Sequence, residues 1–97
     1  MSEVVWNALA KVDYHNNIDY LLKYWPVKVA QEFIDDVEKA IYNLKTGTIE
    51  YQETEYKEVK KCVLCKQITM YYKHTGENKV ELLRFWNNYQ DSKKLQL

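Results

Sequence analysis

Cys62 and Cys65 stand in a Cys-x-x-Cys pair, the spacing of half a zinc site, and His15 and His74 are the only histidines in the chain. Tetrahedral zinc needs four ligands, and the two histidines are far from each other in sequence with no second cysteine pair. A redox pair of the thioredoxin type opens a helix after a strand, whereas these thiols sit inside an apolar run, "VKKCVLCKQITMYYK". The two residues are therefore expected to be reduced strand residues pointing to opposite faces, small hydrophobes with no metal and no cofactor. Two cysteines also do not make the disulfide framework of a small secreted domain.

A second group mixes aromatic and basic side chains. Tyr71, Tyr72 and Tyr89 accompany Lys66, Lys73 and Arg84, the combination found on surfaces that stack and neutralise single-stranded nucleic acid. The same residue types are common in protein interfaces. Nine tyrosines in 97 residues fit exposed amphipathic packing better than a base-stacking platform. The formal net charge of zero conceals an asymmetry. Residues 1–53 carry nine acids against five lysines, and residues 54–97 carry eight lysines and one arginine against five acids. A basic second half can face phosphate; an acidic first half cannot.

The elements that position these residues follow from the hydrophobic period, which changes at Gly47. Glu3 to Trp6 form a short extended run, and Asn7 is placed to cap a helix by accepting from its first-turn amides. Ala10, Tyr14, Asn17, Leu21 and Trp25, with Ile18 and Leu22, recur at helical spacing. Pro26 interrupts this repeat and suits the first turn of a second helix, whose buried face is expected to hold Ala30, Phe33, Val37, Ile41 and Leu44. Gly47 supplies a left-handed stop. The two helices thus form an antiparallel hairpin.

Beyond Gly47 the pattern is strand-like. "TIEYQETEYKE" reads as a loop or edge strand, and "VKKCVLCKQITMYYK" as two strands turning near Cys65 to Gln67. "HTGEN" reads as a hairpin loop, and "KVELLRFWNN" as an interior strand apolar on both faces. The expectation is one α+β domain over residues 1–97: a short N-terminal strand, then a helical hairpin packed on a small, mainly antiparallel sheet. With no apolar run of membrane-spanning length and no basic start followed by an apolar stretch, a cytosolic protein without a membrane partner is expected.

This order of elements resembles the RelE/ParE superfamily of bacterial toxins. The resemblance is carried by "VVWNALA", by the hairpin "NIDYLLKYWPVKVAQEFIDDVEKAIYNL", by "VLCKQITMYYK", and by the ending "VELLRFWNNYQDSKKL". It implies a small toxin silenced by a cognate antitoxin protein. The family holds two target classes: RelE-like members cut messenger RNA on the ribosome, and ParE-like members poison DNA gyrase by binding it. Ribonuclease members work without a metal, through basic groups that stabilise charge on the phosphate and move protons. Arginine is the favoured phosphate clamp, and this chain has only Arg84. Where ribonuclease members place arginines, on the middle strand and in the C-terminal segment, this sequence has Thr69 and Tyr89. If the chain were a ribonuclease, the resemblance would put its site at Lys60, Lys66, Arg84 and Tyr89. The expectation favours a ParE-like binder, with a RelE-like ribonuclease and a non-toxic interaction module of the same fold as alternatives.

Overall fold

A computed structural model describes residues 1–97, leaving out the side chain of Ser92. Strand β1 covers Glu3–Trp6, helix α1 Ala8–Tyr24 and helix α2 Val27–Thr46. Strands β2 (Gln52–Glu53), β3 (Val59–Val63), β4 (Ile68–Gly76) and β5 (Lys79–Asn87) follow, and a 3₁₀ turn spans Ser92–Lys94. The five strands form one sheet in the order β1-β5-β4-β3-β2. β1 runs parallel to β5, and every other pairing is antiparallel.

Local chemistry sets the helix ends. The Asn7 side chain accepts from the Ala10 amide at 2.8 Å, satisfying one of the orphan donors of the first turn. Pro26 forces Trp25 into extended geometry (φ −134°, ψ 161°), so α1 stops there and α2 begins one residue beyond the proline. Gly47 closes α2 at φ 68°, a conformation that disfavours a side chain.

The core lies between the hairpin and one face of the sheet. Ala10, Leu21, Phe33, Val37 and Leu44 pack with Ile68, Met70, Tyr72, Val80, Leu82 and Phe85, all buried. Trp6, Tyr14 and Phe33 gather around Phe85 with ring centroids 5.2, 5.8 and 6.3 Å away. Truncating a fully buried Phe typically costs about 3–5 kcal/mol, so this aromatic knot is a main source of stability. Among the described residues, no helix is long and apolar enough to cross a membrane.

Four expectations need correction. Leu22 is 49% exposed, because it lies about 100° around α1 from the buried Leu21. On α2, Ala40 is buried and Ile41 only half-buried, a small shift of the contact stripe. "HTGEN" is mostly strand: β4 runs on to Gly76, and the hairpin closes through Glu77 and Asn78. Cys65 lies in the turn after β3 rather than on the strand, so alternation along a strand does not relate it to Cys62.

The β4–β5 ladder is irregular in a way that matters for the site. Tyr71 pairs with Arg84 but Tyr72 with Leu82, leaving Leu83 as a bulged residue. The bulge resets the alternation, so that Val80, Leu82 and Phe85 all join the helix-side core. Leu83 and Trp86 are buried outside that cluster, which is how one strand comes to be apolar on both faces.

Candidate functional site

β1 ends at Trp6, paired with Leu82, because Asn7 must turn to cap α1. Among the described residues no strand lies beside the edge of β5 beyond that point, and α1 takes the strand's place. Asp13 Oδ2 accepts from the Phe85 amide at 3.1 Å, while Asn17 Nδ2 donates to the Phe85 carbonyl at 2.8 Å. Asp13 and Asn17 are one helical turn apart, so both project toward the same backbone unit.

Arg84 completes this node. Its Nε donates to Asp13 Oδ2 at 2.6 Å and its Nη2 to Asp13 Oδ1 at 3.0 Å, a forked pair with side chains only 15% and 13% exposed. The remaining terminal nitrogen, Nη1, donates to the Gln96 carbonyl at 3.2 Å, and the guanidinium carbon lies 5.4 Å from the Trp86 ring. The sole arginine of the chain is thus held by a carboxylate, by the C-terminal segment and by an indole. Sequence reasoning missed this role. The signal that could have found it was Asn17, a polar side chain in a stripe otherwise made of Ala10, Tyr14 and Leu21, with Asp13 four residues before it.

The other site residues lie apart. Lys60 reaches Glu50 Oε1 at 3.0 Å, and the same oxygen takes His74 Nε2 at 3.0 Å and the Tyr72 hydroxyl at 3.3 Å. Hydrogen bonds from His74 and then Lys60 hold the Glu50 carboxyl below the usual range. Burial pushes the Tyr72 phenol up to about 12, so it serves as a neutral donor at physiological pH. Its oxygen also accepts from the Tyr51 amide at 3.1 Å, which ties the segment before β2 to the core.

Lys66 sits in the β3–β4 turn, where its carbonyl accepts from Asn88 Nδ2 at 3.2 Å. Thr69 is buried and donates to Asn88 Oδ1 at 2.8 Å. The position at which the resemblance places an arginine thus holds a link between β4 and the exit of β5. That exit is further fixed by Asn87, whose Oδ1 accepts from the Tyr89 amide at 2.9 Å. Tyr89 is 55% exposed and turns away toward α1, where it lines a groove with Tyr20, Tyr24 and Trp25. Among the described residues, no hydrogen bond or ion pair joins any two of Lys60, Lys66, Arg84 and Tyr89.

The face of the sheet away from the helices carries Lys61, Tyr71 and Lys73 by register, with Arg84 opposite Tyr71 and Glu81 opposite Lys73 on β5. Burial raises the Tyr71 phenol, so it too is a neutral hydroxyl near pH 7. The thiols are likewise pushed up by burial, Cys62 on the core side of β3 and Cys65 half-buried in the turn, which leaves little thiolate at neutral pH.

No protein-family model and no curated protein matches the sequence. Solved structures do match. A chain of the chromosomal ParDE toxin-antitoxin system from P. aeruginosa is 16% identical, with a TM-score of 0.71 over 90% of this chain and 96% of that one. A YoeB/ParE toxin from Agrobacterium tumefaciens is 14% identical, with a TM-score of 0.63 over 92% and 100% of the two chains. A point mutant of YafQ from E. coli is 8% identical, with a TM-score of 0.59 over 91% and 94%. The strand, helical hairpin and four-stranded remainder described above are thus the fold that these solved structures share.

Proposed function

We propose that this chain is the toxin of a toxin-antitoxin pair, silenced by a cognate antitoxin, and that it acts in the ParE-like manner, by binding a protein target such as DNA gyrase. The observation that carries this reading is the capture of Arg84 by Asp13. Phosphate cleavage without a metal depends on preorganised cations whose charge is free to meet the developing negative charge, and losing one such donor costs about 100-fold or more in rate. Here the only arginine already has a carboxylate on its fork, Lys60 already meets Glu50, and Thr69 is neutral and buried. The toxin relatives of the same fold support the toxin part of the reading.

The test is expression of the chain alone and together with the product of any short neighbouring reading frame. Growth arrest relieved by the neighbour, with messenger RNA intact by primer extension and with purified chain inhibiting gyrase supercoiling, is the expected result. Codon-positioned cuts on ribosomes that vanish in Lys60→Ala or Tyr89→Phe would replace the binder with a ribonuclease. No arrest at all would leave an interaction module of the same fold.

A further inference from the structure

The chain between α2 and β3 is a strap that little apolar burial holds down. Thr48, Ile49, Glu50, Gln52 and Glu53 are all exposed, and β2 pairs with β3 at only two positions, Gln52 with Lys61 and Glu53 with Lys60. Among the described residues, the side-chain hydrogen bonds that tie residues 49–53 to the rest of the molecule run through Tyr51 and Glu50. The Tyr51 amide donates to the Tyr72 hydroxyl at 3.1 Å, and Asn43 Nδ2 donates to the Tyr51 hydroxyl at 3.1 Å. Glu50 Oε1 takes Lys60 Nζ at 3.0 Å, His74 Nε2 at 3.0 Å and the Tyr72 hydroxyl at 3.3 Å.

The Glu50 anchor contains a group whose charge changes near neutral pH. Imidazole is the ordinary side chain that titrates between about pH 5 and 8. The Glu50 side chain is 55% exposed and that of His74 44%, so protons exchange with solvent. Hydrogen bonds from His74 and then Lys60 hold the Glu50 carboxyl below its usual range, which keeps it ionised wherever an imidazole titrates. Lysine is charged throughout that range, so Lys60 supplies a constant hold on Glu50 and His74 a variable one. A neutral ring must carry its proton on Nε2 to make the bond; the protonated ring always does, and brings a full charge.

The surroundings of His74 leave Glu50 as its ionic partner. Tyr72 on the same strand presents a ring at 6.0 Å, Val80 lies opposite on β5, and Glu53 is opposite Lys60 by register. Among the described residues, His74 makes no other ion pair. The other imidazole, His15, is on α1 with its ring 5.5 Å from that of Tyr14.

We propose that this cluster is a pH-graded latch: protonation of His74 tightens the hold on Glu50, and with it the attachment of the strap to the edge of the sheet. Loosening the strap frees the outer edge of β3 at Lys60 and Lys61, the backbone that β2 otherwise pairs.

The test follows hydrogen exchange of the Tyr51 amide in the full chain, as protection relative to an unfolded chain, at about pH 8 and about pH 5.5. Protection about two- to fivefold higher at the lower pH is expected, the amount an exposed charge pair supplies. At both pH values it should stay below that of the buried Phe85 amide, because the strap opens by itself. His74→Gln keeps a neutral donor and should abolish the rise while leaving the pH 8 value near that of the unmodified protein. Glu50→Gln should abolish the rise and lower protection at both pH values, with Phe85 still protected as proof that the variant is folded. Tyr51 protection that does not change with pH, a rise of the same size in either variant, or protection equal to that of Phe85 would overturn the latch.

Discussion

Two carboxylates in this protein each gather three donors, one beside Phe85 and one beside His74, and they differ in almost everything else. Asp13 uses both oxygens, in a forked pair with Arg84 plus one backbone amide, and its side chain is 13% exposed. Glu50 directs one oxygen at a lysine, a histidine and a tyrosine, and its side chain is 55% exposed. Equal donor counts therefore conceal unequal stakes. Removing one partner of an enclosed pair leaves a charge and a backbone group without water or partner, whereas solvent and salt replace most of what an exposed pair provides.

The comparison is tested most severely by Asp13→Ala. Loss of about 3–5 kcal/mol is expected, because Arg84 and the Phe85 amide lose their acceptor together. That is as large as the loss expected from Phe33→Ala in the middle of the core, and urea unfolding of the two variants side by side would show it. An Asp13→Ala midpoint close to that of the unmodified protein would place the node among ordinary surface pairs. Next in size, Asn17→Ala should lose about 1–3 kcal/mol by leaving the Phe85 carbonyl unpaired, read from the same urea titration.

Glu50→Gln should lose less than about 1 kcal/mol at neutral pH, and less still in high salt. Its signature is pH. The folded protein holds this carboxyl below its unfolded value, so the contribution is present above the unfolded value and fades as pH falls through the folded one. Unfolding midpoints followed from about pH 6 to about pH 3 should therefore fall less steeply in Glu50→Gln; parallel curves would remove Glu50 from the acid response. The smallest effect, and of opposite sign, belongs to Glu58, a non-glycine residue at φ 65°. Glu58→Gly should gain about 0.5–1 kcal/mol by relieving left-handed strain, net of the extra entropy of glycine. A loss there would mean that the Glu58 side chain takes part in holding the turn before β3.

How far these regions are legible in the sequence depends on how local their causes are. The Asn7 cap, the break at Pro26, the stop at Gly47 and the turn at Cys65 to Gln67 act within a few residues, and each is readable from residue type and spacing. The Asp13 node is not, because it joins residues 71 apart and exists only where β1 stops short of β5. The length of the β4–β5 hairpin is hidden because His74 and Gly76 look like loop residues, while the ladder with its irregularity there keeps them in the strand. Of the candidate site, residue types are legible but not their company: nothing near Arg84 or Lys60 in sequence announces Asp13 or Glu50.

The parallel pairing of β1 with β5 also sets a schedule. β1 and α1 are made well before β5, yet the strand that β1 pairs with, and the backbone unit that Asp13 and Asn17 satisfy, are made only after residue 78. The hairpin can coil early as secondary structure, but its buried face has only the β3–β4 part of the sheet to rest on until β5 arrives, and contacts of such long sequence separation form slowly. A nascent chain is consequently unfinished until β5 is made, and the β1–β5 pairing and the Asp13 node come into being at nearly the same moment.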